Sequence, residues 1–212
     1  MNFDEKIDFK ERSWDVWSSV IFQKTSEEWG GFSNMCAGFR IDVNGKTWLT
    51  SEALYQALRF PDDPELQEII RTERSPMAAK MKTKPFRVSR SRKDWDSVRV
   101  DAMWWCLIAK LISNEESFGS LLKKSGKSDV VERSHRDRFW GAVRVTEDYL
   151  QGQNVLGVLL TMLRDRYSKG GIEEISKILP PKHSRLFGVD SFSISKVGES
   201  RKSIQLTLDD FL

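Results

Sequence analysis

The pattern of hydrophobic and polar positions predicts a chain dominated by helices. Apolar residues recur at helical spacing, with Ala53, Leu54, Ala57 and Leu58 on one stripe of the first predicted helix. Asp63-Pro64 and Ser75-Pro76 each place a capping side chain before a proline, which is typical of a helix start. The predicted helices cover about 51–60, 63–71, 75–81, 94–113, 114–124 and 154–167.

Short strands are predicted between the helices. Residues 39–43 and 46–49 flank Asn44-Gly45, a pair that favours the positive φ angles of a tight hairpin turn. Residues 20–22 form another predicted strand, and 130–132 and 141–145 have strand-like or irregular character. The predicted fold class is α+β, a single and mostly α-helical domain with a few short strands over residues 20–167.

The two ends of the chain differ in texture from this domain. Residues 1–19 are polar with scattered aromatics and are predicted to be an N-terminal arm lying on the domain. Residues 168–204 are rich in Ser, Lys, Gly and Pro, and are predicted to be a flexible linker with a short helix at 172–179. Residues 205–212 form a separate terminal motif, treated below.

Composition bounds the class of protein. The 212 residues are 39% apolar and 31% charged, a globular balance that can bury one core. The apolar runs are shorter than the ~20 residues of a membrane span, and the charged N-terminus is unlike a secretory signal. We expect a soluble cytoplasmic protein, or a nuclear one in a eukaryotic host, with no membrane partner.

Cysteine and histidine are scarce. Cys36 and Cys106 cannot form a disulfide framework, and His135 and His183 lie far apart in the chain. These counts argue against a His-rich metal site and a Cys–His protease dyad. A magnesium site built from carboxylates stays open, but the sequence predicts neither a metal nor a cofactor.

Net charge is only +3, but the basic residues are unevenly distributed. Residues 80–93 hold seven Lys or Arg and no acid, which fits either a solvated loop or a strip facing phosphates. Eight tryptophans offer flat rings for bases and sugars. Trp48, Trp104 and Trp105 lie in apolar settings that favour a place in the core instead.

Three places carry candidate chemistry. Glu52 lies in the first turn of a predicted helix, where the helix dipole favours an ionised carboxylate able to act as a base or to stabilise an oxocarbenium ion; a plain first-turn Glu is the alternative. Glu132, Asp137 and Trp140 form a second cluster, for which surface ion pairs are the alternative. Asn154 opens a helix whose free N–H groups suit a phosphate.

Six blocks of sequence follow one another in the order typical of the NADAR family, whose name denotes NAD- and ADP-ribose-associated proteins. The chain resembles that family over residues 20–167. The blocks are GGFSNM (30–35), TSEALYQALRFP (50–61), SPMAAKMKTKPFR (75–87), DWDSVRVDAMWWCL (94–107), ERSHRDRFWG (132–141) and GQNVLGVLL (152–160).

The resemblance implies an N-glycosidase. Some members are similar to enzymes that cleave riboflavin-pathway intermediates. Others remove ADP-ribose from guanine in DNA or RNA, and so oppose an ADP-ribosylating toxin. It assigns the essential carboxylate to Glu52 and an assisting role to Asp137. It also assigns a set of substrate-binding residues: Phe32, Ser33, Asn34, Tyr55, Gln56, Arg87, Trp95, Trp140, Gly141, Asn154 and Gly157.

The resemblance also implies that, in some members, a lysine attacks the anomeric carbon of the sugar and forms an imine. Lys84 and Lys80, in the basic strip, are the first candidates, and Lys46 near Glu52 is another. Arg59 stands where many relatives have a lysine, so a nucleophile at that position would be missing here. Arg90 and Arg92 suit a pyrophosphate or a nucleic-acid backbone, as do Lys80, Lys84 and Arg87.

The last eight residues resemble the PIP box, the motif that docks proteins on the sliding clamp PCNA. Gln205 would enter a polar pocket, while Leu208, Phe211 and Leu212 would form the apolar plug. A leucine replaces the second aromatic of the motif, and QLTL also loosely matches the bacterial clamp pattern. The alternative is a terminal amphipathic turn packed on its own domain.

Together these features predict an ADP-ribosyl glycohydrolase that hydrolyses the bond between ADP-ribose and guanine in nucleic acid, with DNA preferred. A clamp-docked tail would bring it to replicating DNA. One alternative is an N-glycosidase of phosphorylated riboflavin-biosynthesis intermediates. The other is a non-catalytic ADP-ribose-binding module docked on a sliding clamp.

Overall fold

The computed structural model describes residue 7, residues 9–197 and the backbone of 204–206. The α-helices within these residues are α1 (Ser51–Leu58), α2 (Pro64–Thr72), α3 (Pro76–Thr83), α4 (Trp95–Ser113), α5 (Glu115–Lys124) and α6 (Val155–Ile175). The strands are β1 (Arg12–Asp15), β2 (Val20–Phe22), β3 (Ile41–Val43), β4 (Lys46–Trp48), β5 (Val130–Ser134), β6 (Ala142–Arg144), β7 (Tyr149–Gly152), β8 (Phe192–Ser195) and β9 (Ile204–Leu206). The predicted α+β class, with helices predominating, is confirmed.

The helix starts follow the predicted capping chemistry. The Asp63 side chain accepts the N–H of Leu66, and the Ser75 side chain accepts that of Ala78, with proline in the first turn of each helix. Asn114 behaves differently from the prediction, because its amide donates to the carbonyls of Arg40 and Lys110 rather than capping α5.

A five-stranded sheet in the order β1-β7-β6-β5-β2 supports the cavity described below. Strand β5 lies between two parallel neighbours, β2 and β6. Strand β1 pairs antiparallel with β7, so that Trp14 is buried against Leu150 and its indole N–H donates to the Gly152 carbonyl at 3.0 Å. The segment predicted as an N-terminal arm therefore contributes an edge strand to the sheet.

The second sheet has the order β4-β3-β8-β9. Its β3–β4 hairpin turns at Asn44 and Gly45, with φ values of 54° and 70°, as Asn-Gly predicted. The Asn44 side chain also fixes β8, because its Nδ2 donates to Ser191 O and its Oδ1 accepts from Ser193 N.

The main core lies around α4, which packs against α1, α5, α6, β3 and β8. Its central residues are fully buried, and Trp48, Trp104 and Trp105 are buried with them, in the core setting that the sequence favoured. This core holds α1 and the first turns of α4 beside each other, and both line the cavity.

The structure differs from the prediction for the segment after Tyr167. Helix α6 continues to Ile175 with a break at Gly171, whose φ of 66° a glycine adopts readily. Further on, Phe192 and Ile194 are buried in the core, and β8 pairs with β3. The linker interpretation is wrong for these residues, because alternate apolar side chains in a Ser-rich stretch form a strand once a sheet edge receives them.

The terminal motif falls largely outside the described residues. Only Gln205 of its key positions has a described backbone, paired with Ser193 through β9, whereas Leu208, Phe211 and Leu212 lie beyond. Clamp docking therefore stays a prediction. Among the described helices, none combines the length and apolar character that crossing a membrane requires.

Candidate active site

A cavity of about 540 Å³ opens between α1, α3, the start of α4, the middle of β5 and the β5–β6 connection. This volume lies within the range of small-molecule binding sites. Its wall combines carboxylates, cations and aromatic rings. The carboxylates are Glu52, Asp96, Glu132 and Asp137, and the cations are Arg59, Lys80, Arg87 and Arg99. The rings are Tyr55, Trp95, Phe139 and Trp140. The neutral lining residues are Gln23, Ser33, Asn34, Met35, Gln56, Met103 and Leu156.

Glu52 reaches this cavity from the first turn of α1. The backbone N–H of Glu52 donates to Asn34 O at 3.0 Å, which ties the helix start to the turn that carries Ser33 and Asn34. Its Oε1 accepts Gln56 Nε2 at 2.9 Å, and Gln56 Oε1 in turn accepts the Thr83 hydroxyl at 3.2 Å. Glu52 is only 6% exposed, so it is a fixed, nearly buried carboxylate rather than a surface residue.

Asp137 and Glu132 bring two more carboxylates to the cavity. Asp137 Oδ1 accepts the backbone N–H groups of Phe139 and Trp140, both at 2.9 Å, and so shapes the turn that presents these rings. Burial, together with the charges of Asp137 and Glu52, raises the pKa of Glu132 to about 7. The surface ion-pair alternative does not describe these two carboxylates, since both line the cavity.

Aromatic rings form one side of the cavity. Tyr55 lies 5.0 Å from Trp95 and 5.8 Å from Trp140 between ring centroids. Guanidinium groups lie on this cluster, with Arg59 5.2 Å from the Trp95 ring and Arg99 3.9 Å from the Phe139 ring. Burial and the charge of Glu52 raise the pKa of Tyr55, so its phenol stays neutral. Rings and guanidinium groups arranged in this way suit a flat base joined to an anionic group.

The basic strip of residues 80–93 divides into two groups. Lys80 and Arg87 line the cavity, and Arg87 is held there by its hydrogen bonds to Thr83 Oγ1 and Lys80 O. Other members lie in ion pairs outside it: Lys82 with Glu73 at 2.5 Å, Arg90 with Asp63 at 3.1 Å and Arg92 with Asp94 at 2.6 Å. Of the five basic residues assigned to phosphate contacts, the structure thus brings Lys80 and Arg87 to the cavity.

Most of the predicted site residues meet at this cavity. Those that line it are Glu52, Asp137, Lys80, Ser33, Asn34, Tyr55, Gln56, Arg87, Trp95 and Trp140. They come from five separate blocks of sequence, brought together by α1, α3, α4 and the β5–β6 connection.

Other predicted site residues lie behind or away from the cavity wall. Phe32 is fully buried and stacks on Trp29 with ring centroids 5.8 Å apart, so it is a core residue. Lys84 is exposed, and Lys46 lies over the Phe187 ring at 4.4 Å. Lys80 is therefore the lysine that lines the cavity within the described part of the chain.

Asn154, Gly157 and Gly141 support the cavity through the backbone of β5. The buried Asn154 side chain accepts Glu132 N and donates to Val130 O, both at 2.9 Å, rather than opening a phosphate site. A Cβ at Gly157 would lie 2.0 Å from Val130 O, and one at Gly141 would lie 2.6 Å from Glu132 O. These glycines are needed because the backbones approach so closely.

Several cavity residues were not in the predicted site. Glu132 was noted as part of an acidic cluster but was not assigned a role. Arg99 lies four residues after Trp95 on the same face of α4, and that spacing was the available signal for it, whereas Asp96 directly follows Trp95 and had no such signal. No sequence signal pointed to Gln23, because the parallel pairing of β2 with β5 places it at the cavity, and that pairing joins segments about 110 residues apart.

Within the described residues, no group of three or more His, Cys, Asp or Glu side chains is arranged to hold a metal ion.

Comparison with known proteins connects this cavity to a class of enzyme. The chain is 36% identical over 150 residues to N-glycosidase YbiA of Escherichia coli, which covers 69% of this chain and 87% of that protein. The solved structure of E. coli YbiA matches with a TM-score of 0.60 and 34% identity, over 76% of this chain and 90% of that one. The chain is also 34% identical to a riboflavin biosynthesis protein of Vibrio vulnificus, over 69% of this chain and 38% of that protein.

The fold and the carboxylate-lined cavity, together with these relatives, define a hydrolase that acts on N-glycosyl bonds. Residues 21–168 match the NADAR domain, and these residues contain all the lining of the cavity. The chain belongs to the NADAR family.

Proposed function

We propose that this protein hydrolyses the N-glycosyl bond between ADP-ribose and guanine in nucleic acid and so restores the base. The observation that carries the proposal is the pairing of cations and rings around Glu52. Arg59, Lys80, Arg87 and Arg99 supply positive charge in one cavity, and Tyr55, Trp95, Phe139 and Trp140 supply ring surfaces. A pyrophosphate beside two flat bases has this chemistry.

Glu52 has the geometry of the essential carboxylate. An ionised carboxylate next to the sugar stabilises the oxocarbenium-like transition state and accepts a proton from attacking water. The Gln56 amide and the Asn34 carbonyl fix its position before substrate arrives, and preorganisation of this kind reduces the cost of reaching the transition state.

A second candidate substrate is a phosphorylated riboflavin-biosynthesis intermediate. Relatives in Vibrio vulnificus and Zea mays are named riboflavin biosynthesis proteins, at 34% and 33% identity. Such a ribosylamine also joins a phosphate, a sugar and a ring. It would engage fewer of the cavity's cations than ADP-ribose, because it carries a single phosphate.

The test offers both substrates to the same enzyme preparation. Duplex and single-stranded oligonucleotides carrying ADP-ribosyl-guanine, and a phosphorylated ribosylaminopyrimidine, are each incubated with the parent chain and with Glu52→Gln. We expect the parent alone to release ADP-ribose, with a KM that rises steeply with salt for the oligonucleotide, since phosphate contacts are screened. Turnover of the ribosylamine alone would overturn the proposed substrate and leave the N-glycosidase class standing.

The terminal motif suggests where the enzyme would act. If Leu208, Phe211 and Leu212 dock on a sliding clamp, the activity is concentrated at replicating DNA. Removal of residues 207–212 leaves β9 (Ile204–Leu206) in place and tests this separately. We expect the shortened chain to lose clamp binding in a pull-down with purified clamp while retaining turnover of a free oligonucleotide. Unchanged clamp binding would contradict the docking proposal.

A further inference from the structure

We infer that Glu132 is the general acid of this site, the group that protonates the leaving nitrogen, while Glu52 acts as the base. The inference rests on the proposed function for its substrate, and for its geometry on Glu52, Glu132 and Asp137, three of the four carboxylates that line the cavity. It assigns a role to Glu132, which the sequence analysis left without one.

The hydrogen bonds of the three carboxylates differ. Asp137 uses one oxygen to hold the N–H groups of Phe139 and Trp140, so it shapes the turn. Glu52 uses one oxygen to accept Gln56. Among the described residues, the Glu132 carboxyl forms no ion pair and accepts no side-chain hydrogen bond, which leaves both of its oxygens available to a substrate.

The backbone of Glu132 is held firmly, so that its side chain is presented rather than loose. Its N–H donates to Asn154 Oδ1 at 2.9 Å, and its carbonyl lies where a Cβ on Gly141 would come within 2.6 Å. Phe22 of β2 pairs beside it in parallel register. A residue fixed in this way in the middle of a central strand can be placed within hydrogen-bond reach of one substrate atom.

The surroundings favour the protonated form of Glu132. The charged groups that act on it are Asp137 from the β5–β6 connection, Glu52 from α1 and Lys80 from α3. The two carboxylates and burial disfavour ionisation, Lys80 opposes them, and the balance raises the pKa to about 7. A carboxyl group whose pKa is raised, lying near a second carboxylate, is typical of the general acid in glycoside hydrolysis.

The reaction step balances with these groups. The bond between the sugar carbon and the guanine nitrogen breaks, its electron pair goes to nitrogen, and nitrogen takes the Glu132 proton. The sugar carbon gains the oxygen of a water molecule, and that water loses a proton to the Glu52 carboxylate. Exchange with solvent then returns the proton to Glu132.

The first test compares leaving groups. We expect Glu132→Gln to lower kcat on ADP-ribosyl-guanosine by about 10²- to 10⁴-fold, the usual contribution of a general acid. On ADP-ribosyl-N7-methylguanosine, whose base departs without needing a proton, we expect the loss to shrink to less than about tenfold. An equal loss on both substrates would overturn the inference, because it would indicate a structural role.

The second test uses the pH profile. Activity of the parent should fall as pH rises through about 7, where Glu132 loses its proton. Asp137→Asn keeps the acceptor for the Phe139 and Trp140 N–H groups but removes a like charge, so it lowers the pKa of Glu132 and moves this limb to lower pH. An unmoved limb would contradict the assignment.

A third measurement separates failure of this inference from failure of the proposed substrate. Carbon-13 NMR of glutamate-labelled chain, compared with labelled Glu132→Gln, follows the protonation of Glu132 with no substrate present. We expect one carboxyl resonance that titrates near neutrality and is missing in the variant. If that resonance is found but ADP-ribosyl-guanine is not hydrolysed, the leaving-group comparison moves to the ribosylamine. If no carboxyl titrates near neutrality, the inference fails whatever the substrate.

Discussion

Asn154 gives a quantitative test of how the site is supported. Replacing it with alanine removes two buried hydrogen bonds and leaves Glu132 N and Val130 O without partners. Each buried backbone group left in this state costs about 1–3 kcal/mol. Residue 154 also has a left-handed backbone, with φ of 50°, which costs alanine about 1 kcal/mol more. The expected loss of unfolding free energy is therefore about 3–7 kcal/mol.

Urea denaturation followed by circular dichroism measures this loss. Asn154→Gly removes the backbone strain but not the missing hydrogen bonds, so it should recover only about 1 kcal/mol. Asn44→Ala is the matched control: Asn44 is also left-handed and also makes two side-chain hydrogen bonds, but it is exposed, and water can replace those bonds. We expect it to cost about 1–2 kcal/mol. A loss below about 1 kcal/mol for Asn154→Ala would refute the supporting role.

Two further predictions concern lysines. Lys80→Met should raise KM about tenfold, because it removes a charge-assisted contact to phosphate. Lys84→Met, outside the cavity, should leave KM unchanged. Equal changes in KM for the two variants in a steady-state assay would contradict the placing of the phosphate beside Lys80. Lys110 is buried, and its Nζ donates to the Gly31 and Ser33 carbonyls. This burial lowers the pKa of Lys110 to about 7. Above about pH 7 the unfolded chain therefore binds more protons than the folded chain does, so the free energy of unfolding should rise with pH from about 7 to about 10. Urea midpoints across that range should show the rise in the parent and not in Lys110→Met, and a rise retained in the variant would count against the assignment to Lys110.

Much of the fold was readable from local signals. The caps at Asp63 and Ser75, the prolines after them and the Asn44-Gly45 turn act within a few residues, so the sequence shows them directly. The region after Tyr167 was read wrongly, because β8 becomes a strand only when β3 offers an edge, and that pairing joins positions about 150 residues apart.

The site was predictable to the extent that ordered blocks of residues carried it. Glu52, Trp95 and Trp140 line the cavity as proposed from those blocks. Phe32 and Asn154 belong to the same blocks but support the site from within the core, and spacing along the chain does not distinguish a lining residue from one behind it. The raised pKa of Glu132 depends on burial and on charges from three other segments, which no local pattern reports.

Single-turnover kinetics of Glu52→Gln determine whether a fixed carboxylate in the first turn of α1 drives cleavage of an N-glycosyl bond. Glu65→Gln is the matched control, since Glu65 is also a first-turn glutamate but is exposed on α2. We expect Glu52→Gln to slow bond cleavage by at least about 10³-fold with substrate Kd within a few-fold of the parent, and Glu65→Gln to change neither. Cleavage by Glu52→Gln at the rate of the parent would show that Glu52 does not drive the reaction.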